Sequence, residues 1–199
     1  LLAHMGFINR KELSTFRQIN SRLQTHPEFG KVSGIDFSSG SLGQGLSVGV
    51  GMCLAIKKHN IKSRVVVMLG DGELQEGQVW EAIMSASQFK LDNLILIIDD
   101  NKLQDFGFTN ETMSLSPMEE KFRSFGWNVS TCEGHNYKSI DQAFKETSSS
   151  TSPNCIIADT VKGKGIVFME NSPEWHFVQN MSEELYEKIN RCLSHEEQS

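Results

Sequence analysis

Apolar positions along the chain fall into short unbroken runs separated by stretches with helical spacing. The clearest case spans Val65 to Asn101. Val65-Val66-Val67-Met68-Leu69 is too short and too β-branched for a helix and predicts a buried strand. Gly70-Asp71-Gly72 follows, and an amphipathic segment from about Leu74 to Phe89 predicts a crossover helix. A second apolar run, Leu94 to Ile98, ends in Asp99-Asp100-Asn101. Strand, helix, strand at this length is a βαβ unit, with parallel strands covered on both faces. Asp71 and Asn101 then leave the sheet at one carboxyl edge, where open α/β folds bind ligands.

The same alternation continues downstream: a helix over 117–125, a strand over 127–132, a helix over 139–146 and a strand over 154–161. These extend the sheet, so the expected fold class is α/β, a doubly wound, mostly parallel sheet with helices on both faces. Residues 102–111 read as a polar loop, 148–152 as a surface loop, and 182–193 as a helix capped by Ser182. Upstream, the opening residues read as a helix end turned by Gly6. Asn9 to Leu23 has helical spacing, with Leu13, Phe16 and Ile19 on one packed face. Ser38 to Gly45 predicts a flexible turn opening a helix that runs to about His59. Gly45, Gly49 and Gly51 each cost that helix about 1 kcal/mol against Ala, which calls for close approach of a helix or ligand.

A chain of 199 residues suits a single domain with a real core. The net charge of −6, with no basic stripe, argues against a nucleic-acid partner. No apolar run is long enough to cross a bilayer as a helix. Cys53, Cys132, Cys155 and Cys192 are scattered without a CxxC, as expected for reduced thiols in the cytoplasm.

The chemistry at the sheet edge is oxygen-donor chemistry. The Asp71 carboxylate, the Asn101 amide carbonyl and a backbone carbonyl just beyond would make half an octahedral shell. That suits Mg²⁺ or Ca²⁺ shared with a ligand's phosphates. Gly70 and Gly72 let backbone approach a phosphate, although a tight strand-end turn also favours Gly-Asp-Gly. Two acids opening a helix, Glu76 and Glu81, ordinarily complement its dipole. Five residues apart, they lie about 140° apart around it. Lys162-Gly163-Lys164-Gly165 suits either a phosphate cradle or a plain turn, and Trp80 suits core or interface.

The string GDGELQEGQVWEA followed by DDNKLQ resembles the amino-terminal half of transketolases, most closely the split form in which that half is a separate subunit. HPEF at His26 to Phe29, SSGSLGQGLSVGVGMCLA at Ser38 to Ala55 and KGKGIVFMENSPEWH at Lys162 to His176 match in order. The resemblance implies thiamine diphosphate with Mg²⁺ or Ca²⁺ as cofactors, and Asp71, Asn101 and the Leu103 carbonyl as metal ligands. It implies Gly40, Ser41 and Leu42 around the aminopyrimidine ring, and Gly70, Asp71, Gly72, Glu73, Asn101 and His176 around the diphosphate. By the same resemblance His26 touches the donor sugar's hydroxyls, His176 the diphosphate and substrate, and Glu76 and Glu81 a carboxylate chain at a subunit contact. Thr25 before His26 and Phe177 after His176 both replace the family's glycine.

The family's glutamate that activates the cofactor belongs to a pyrimidine-binding domain, which the resemblance places on a partner chain. The 199 residues are thus expected to be one diphosphate-binding domain, inactive alone and assembled as α₂β₂ with a carboxyl-terminal subunit. The expected reaction moves a two-carbon ketol unit from a ketose, as a sugar or sugar phosphate, to an aldose. The alternatives are a 2-oxo acid decarboxylase or deoxyxylulose phosphate synthase half, or a non-catalytic cofactor-binding scaffold. The family's upstream Gly-His-Ala motif does not occur in the sequence, so the expectation is a missing amino-terminal segment, the alternative being a protein that lacks a usual catalytic histidine.

Overall fold

A computed structural model describes residues 1–178 and 180–196. Its centre is a four-stranded parallel sheet of β1 (Val65–Gly70), β2 (Leu94–Asp100), β5 (Asn128–Glu133) and β6 (Asn154–Asp159), in the order β1-β2-β6-β5. Val65 pairs with Leu94 and Gly70 with Asp99, so the polar ends of β1 and β2 are level. Asp99 lies beside Ala158 and Asp100 beside Asp159, which brings the end of β6 to the same edge.

Three helices pack on one face: α1 (Gln44–Lys58), α2 (Gly77–Gln88) and α4 (Met118–Ser124). Leu46, Val79, Ile83, Leu94, Leu96, Ile98 and Phe122 close this core. Alternation along β2 sends Ile95 to the opposite face, where α5 (Tyr137–Glu146) covers β5 and β6 through Ala143, Ile140 and Phe144. The sheet is therefore doubly wound and buried on both faces over β6, which explains the unbroken apolar runs. On β1 that second face stays open, with Val66 51% and Met68 64% exposed. A final helix, α6 (Glu183–Glu196), begins at Ser182, whose hydroxyl accepts the Leu185 N–H.

Several expectations need correction. Residues 9–23 do not form an amphipathic helix. Only Arg10–Thr15 makes a 3₁₀ turn, capped by Asn9 and Glu12, and Leu13, Phe16 and Ile19 are exposed rather than packed. Arg17 and Asn20 take left-handed backbone, which helical spacing of side chains does not reveal. The crossover helix starts at Gly77 instead of Leu74. Residues Gly72–Gln75 form a 3₁₀ turn, and Glu76 is extended between the two. The loop after Asn101 contains a small hairpin, β3 (Leu103–Gln104) with β4 (Gly107–Phe108), then the short helix α3 (Thr109–Met113). The glycine-rich helix has mixed causes. A Cβ on Gly49 would sit 2.5 Å from Val67 Cγ2, so α1 is drawn tightly onto β1. Gly51 meets nothing within 4 Å among the described residues.

Candidate functional site

β1 ends in Gly70, and the chain turns at once into the 3₁₀ segment with Asp71 as its cap. The Asp71 carboxylate accepts the Gly72 N–H at 2.7 Å and the Thr109 hydroxyl at 3.3 Å. It is 3% exposed. Burial pushes its pKa up, against the Gly72, Lys102 and Thr109 hydrogen bonds that pull it down, with Asp100 adding repulsion. One register step over, Asn101 follows β2 and is also buried. Its Nδ2 donates to Asp99 at 3.1 Å, and its Oδ1 accepts the Leu103 N–H at 3.0 Å. The backbone N–H of Lys102, the residue after Asn101, faces the Asp71 carboxylate, so the two side chains adjoin one loop. Lys102 holds that loop in left-handed backbone (φ 66°), and its ammonium pairs with Asp100 and Asp159.

This donor set fits a hard divalent cation. Among the described residues Asp71 is a buried carboxylate answered by neutral donors, and Asn101 Oδ1 retains a second lone pair beyond Leu103. Gly70 supports the fit, since a Cβ there would meet nothing within 4 Å among the described residues. Packing alone does not require its glycine. At Gly72 packing does, because a Cβ would lie 2.9 Å from that of Gln104.

A second group forms beside β1. Glu73 spans the turn, accepting the Gly70 N–H at 3.2 Å with one oxygen and the Gly43 N–H at 2.9 Å with the other. Gly43 caps α1 in left-handed backbone (φ 79°), and Glu76 packs against its Cα, where a Cβ would be 2.9 Å from that of Glu76. Gly40 (φ 137°) faces the His26 ring, 2.9 Å from where its Cβ would be. Thus His26, Gly40, Ser41, Leu42 and Glu73 line one open cleft of about 720 Å³ running down the exposed side of β1. Asp71 lines a different cleft, of about 490 Å³, with Asp100, Lys102 and Thr109.

Not every expected residue joins these groups. His176 follows a 3₁₀ turn, Pro173–Trp175, and lines neither cleft. It is exposed, and its neighbour Phe177 takes a cation–π contact from Arg17 at 5.7 Å. Glu81 is exposed beyond Glu76 on α2. The 162–165 segment is a plain turn closed by Glu170, which accepts the Gly165 N–H at 3.2 Å. Trp80 belongs to the core, where its indole N–H reaches the Leu74 carbonyl at 2.8 Å. The cysteines are free thiols. Thr109, Thr160, Asp99 and the double role of Glu73 escaped sequence reasoning. Of these, Asp99 and Glu73 sat in motifs already singled out.

Taken together, a parallel α/β sheet presents a carboxylate and an amide at adjoining strand ends, suited to holding an anionic ligand through a divalent cation. Comparison with known proteins identifies the family. The family model "Transketolase, thiamine diphosphate binding domain" matches residues 2–188. The chain belongs to the transketolase family, through its thiamine diphosphate-binding domain. It is 42% identical over 175 residues to an apulose-4-phosphate transketolase subunit of Actinobacillus succinogenes, covering 88% of this chain and 63% of that one. It is 38% identical over 186 residues to a 6-deoxy-6-sulfo-D-fructose transketolase subunit of a Clostridium species, covering 93% and 67%. The crystal structure of Campylobacter jejuni transketolase superposes with a TM-score of 0.85 at 33% identity, over 92% of this chain and 30% of that chain. The chain thus spans about two thirds of the length of the subunit relatives.

Proposed function

We propose that this chain is the cofactor-holding half of a two-subunit transketolase, transferring a two-carbon ketol unit from a ketose to an aldose. The observation that carries the reading is the buried Asp71 carboxylate beside the Asn101 loop, both at level strand ends. Asp71, Asn101 and the Leu103 carbonyl hold Mg²⁺, which Ca²⁺ can replace. Thiamine diphosphate, when bound, supplies the carbon nucleophile that carries the ketol unit.

The chain's own residues bind and orient the cofactor and substrate. Gly70 and Gly72 admit the diphosphate, while Glu73 fixes the turn between them by holding the Gly70 and Gly43 N–H groups. Gly40, Ser41 and Leu42 form the shelf for the aminopyrimidine, and His26, stacked against Gly40, meets the substrate hydroxyls from the same cleft. Glu76, just before α2, and Glu81, on α2, are both exposed, where a subunit contact can engage them. His176, from an exposed loop, meets the diphosphate and substrate. The base that activates the cofactor comes from a carboxyl-terminal subunit, in an α₂β₂ arrangement in the cytoplasm. Both subunit relatives are named for ketoses with a terminal anion, phosphate or sulfonate, which favours that donor class.

Purified alone and then with candidate carboxyl-terminal subunits, the chain should turn over ketose phosphates only in the pair. Turnover by the chain alone, or cofactor binding without turnover in every pairing, contradicts this reading.

A further inference from the structure

The carbonyl oxygen of Asn101 can serve a metal only if the amide is held one way round. An amide is nearly symmetric in shape, so its orientation must be set by what surrounds it. Here the amide NH₂ donates to one oxygen of Asp99 at 3.1 Å. The other Asp99 oxygen accepts the hydroxyl of Thr160, which follows the end of β6, 61 residues away in sequence. Asp99 therefore has one oxygen on each partner, and its carboxylate cannot turn without losing one of them.

Thr160 is itself held from two sides. Its backbone N–H donates to the Asp100 carbonyl at 3.3 Å. The loop after β5 presses on it: a Cβ at Gly134 would overlap Thr160 Cγ2, and the Gly134 N–H donates to the Asp159 carbonyl at 2.7 Å. In the same loop His135 Nε2 accepts the Val161 N–H at 2.8 Å, fixing the next residue. The hydroxyl thus has a fixed origin and one strong acceptor.

We propose that Thr160 is a positioning residue, which acts through Asp99 to orient the Asn101 amide oxygen toward the divalent cation. The inference rests on the metal-site reading above. Outer partners of this kind orient metal ligands, and their loss costs about 10- to 100-fold in metal affinity. Thr160→Val keeps both γ positions, including the methyl beside Gly134, and removes only the hydroxyl. Thr160→Ser keeps the hydroxyl.

Mn²⁺ is the probe, titrated by electron paramagnetic resonance into the full chain with thiamine diphosphate, alongside a metal-free thermal melt of each variant. Thr160→Val should weaken Mn²⁺ binding about tenfold or more with little change in the metal-free midpoint, and Thr160→Ser should remain near wild type. Equal Mn²⁺ affinity in wild type and Thr160→Val overturns the proposal. So does equal loss in Val and Ser variants. If Thr160→Val does not fold, Thr160→Ser against Thr160→Ala gives the same comparison, since both lack the methyl and only serine has the hydroxyl. Failure of the wild-type chain to bind Mn²⁺ is a separate result, and overturns the metal-site reading with the proposal.

Discussion

Among the described residues, neutral donors answer the buried Asp71 carboxylate and offset part of its loss of hydration. Its pKa is raised by burial, so the folded chain holds that proton more tightly than the unfolded one. The stability from this preference is present below the ordinary carboxylate value of 3.8 and lost as pH rises through the raised value. At neutral pH the ionised side chain is a liability that a bound cation would remove. Asp71→Asn should therefore raise the metal-free thermal midpoint at pH 7 while abolishing the rise that Mg²⁺ and thiamine diphosphate give the wild type. Melts with and without both ligands check this. The thiols give an independent test. Burial pushes Cys53 up to about 11 and raises Cys132 and Cys155, whereas Cys192 is half-buried. At pH 8 an alkylating reagent should label Cys192 first in the native chain, as peptide mass mapping would show. For Cys53 the unfolded value is 9.0 and the folded value about 11, so its contribution to stability is lost as pH climbs through that interval. At this scale the motif residues were legible because Asp71 and Asn101 lie in contiguous strings. Thr109 and Thr160 were not, because they meet Asp71 and Asp99 across 38 and 61 residues of sequence.

The glycines of α1 show how an element differs from its sequence pattern. Spacing alone treated Gly45, Gly49 and Gly51 as equals. Gly49 faces Val67 at 2.5 Å from its would-be Cβ, Gly45 has ordinary room at 3.9 Å, and Gly51 faces open space. Gly49→Ala should destabilise by about 1–3 kcal/mol, because overpacking outweighs the helix propensity gained. Gly51→Ala should stabilise the isolated chain by up to about 1 kcal/mol. Urea unfolding followed by circular dichroism distinguishes the two. The strands and the βαβ unit were readable because continuous β-branched runs leave no helical alternative. Two features were hidden for local reasons. The break at Glu76 depends on its packing against Gly43, and the hairpin after Asn101 is only two residues per strand. The false helix at 9–23 arose because apolar spacing records which residues are alike and says nothing of whether they are covered. Ile19 is 93% exposed.

At the scale of the molecule, the sheet brings three strand ends level, and the chemistry follows from that register. Asp71 comes from the end of β1, Asn101 from β2 and Thr160 from β6, so one edge carries the metal donors and their support. The neighbouring cleft, with His26, Gly40 and Leu42, continues down an open face of β1. A half-open site of this kind leaves room for the proposed partner subunit to complete it. On the proposed function, Asp71 and Asn101 anchor thiamine diphosphate through a shared cation. Isothermal titration of the chain with thiamine diphosphate, with and without Mg²⁺, for wild type and Asp71→Ala, tests it most directly. Mg²⁺-dependent binding in the wild type and its loss in a folded Asp71→Ala variant are the predicted result. Retention of the cofactor by that variant at wild-type affinity would contradict it.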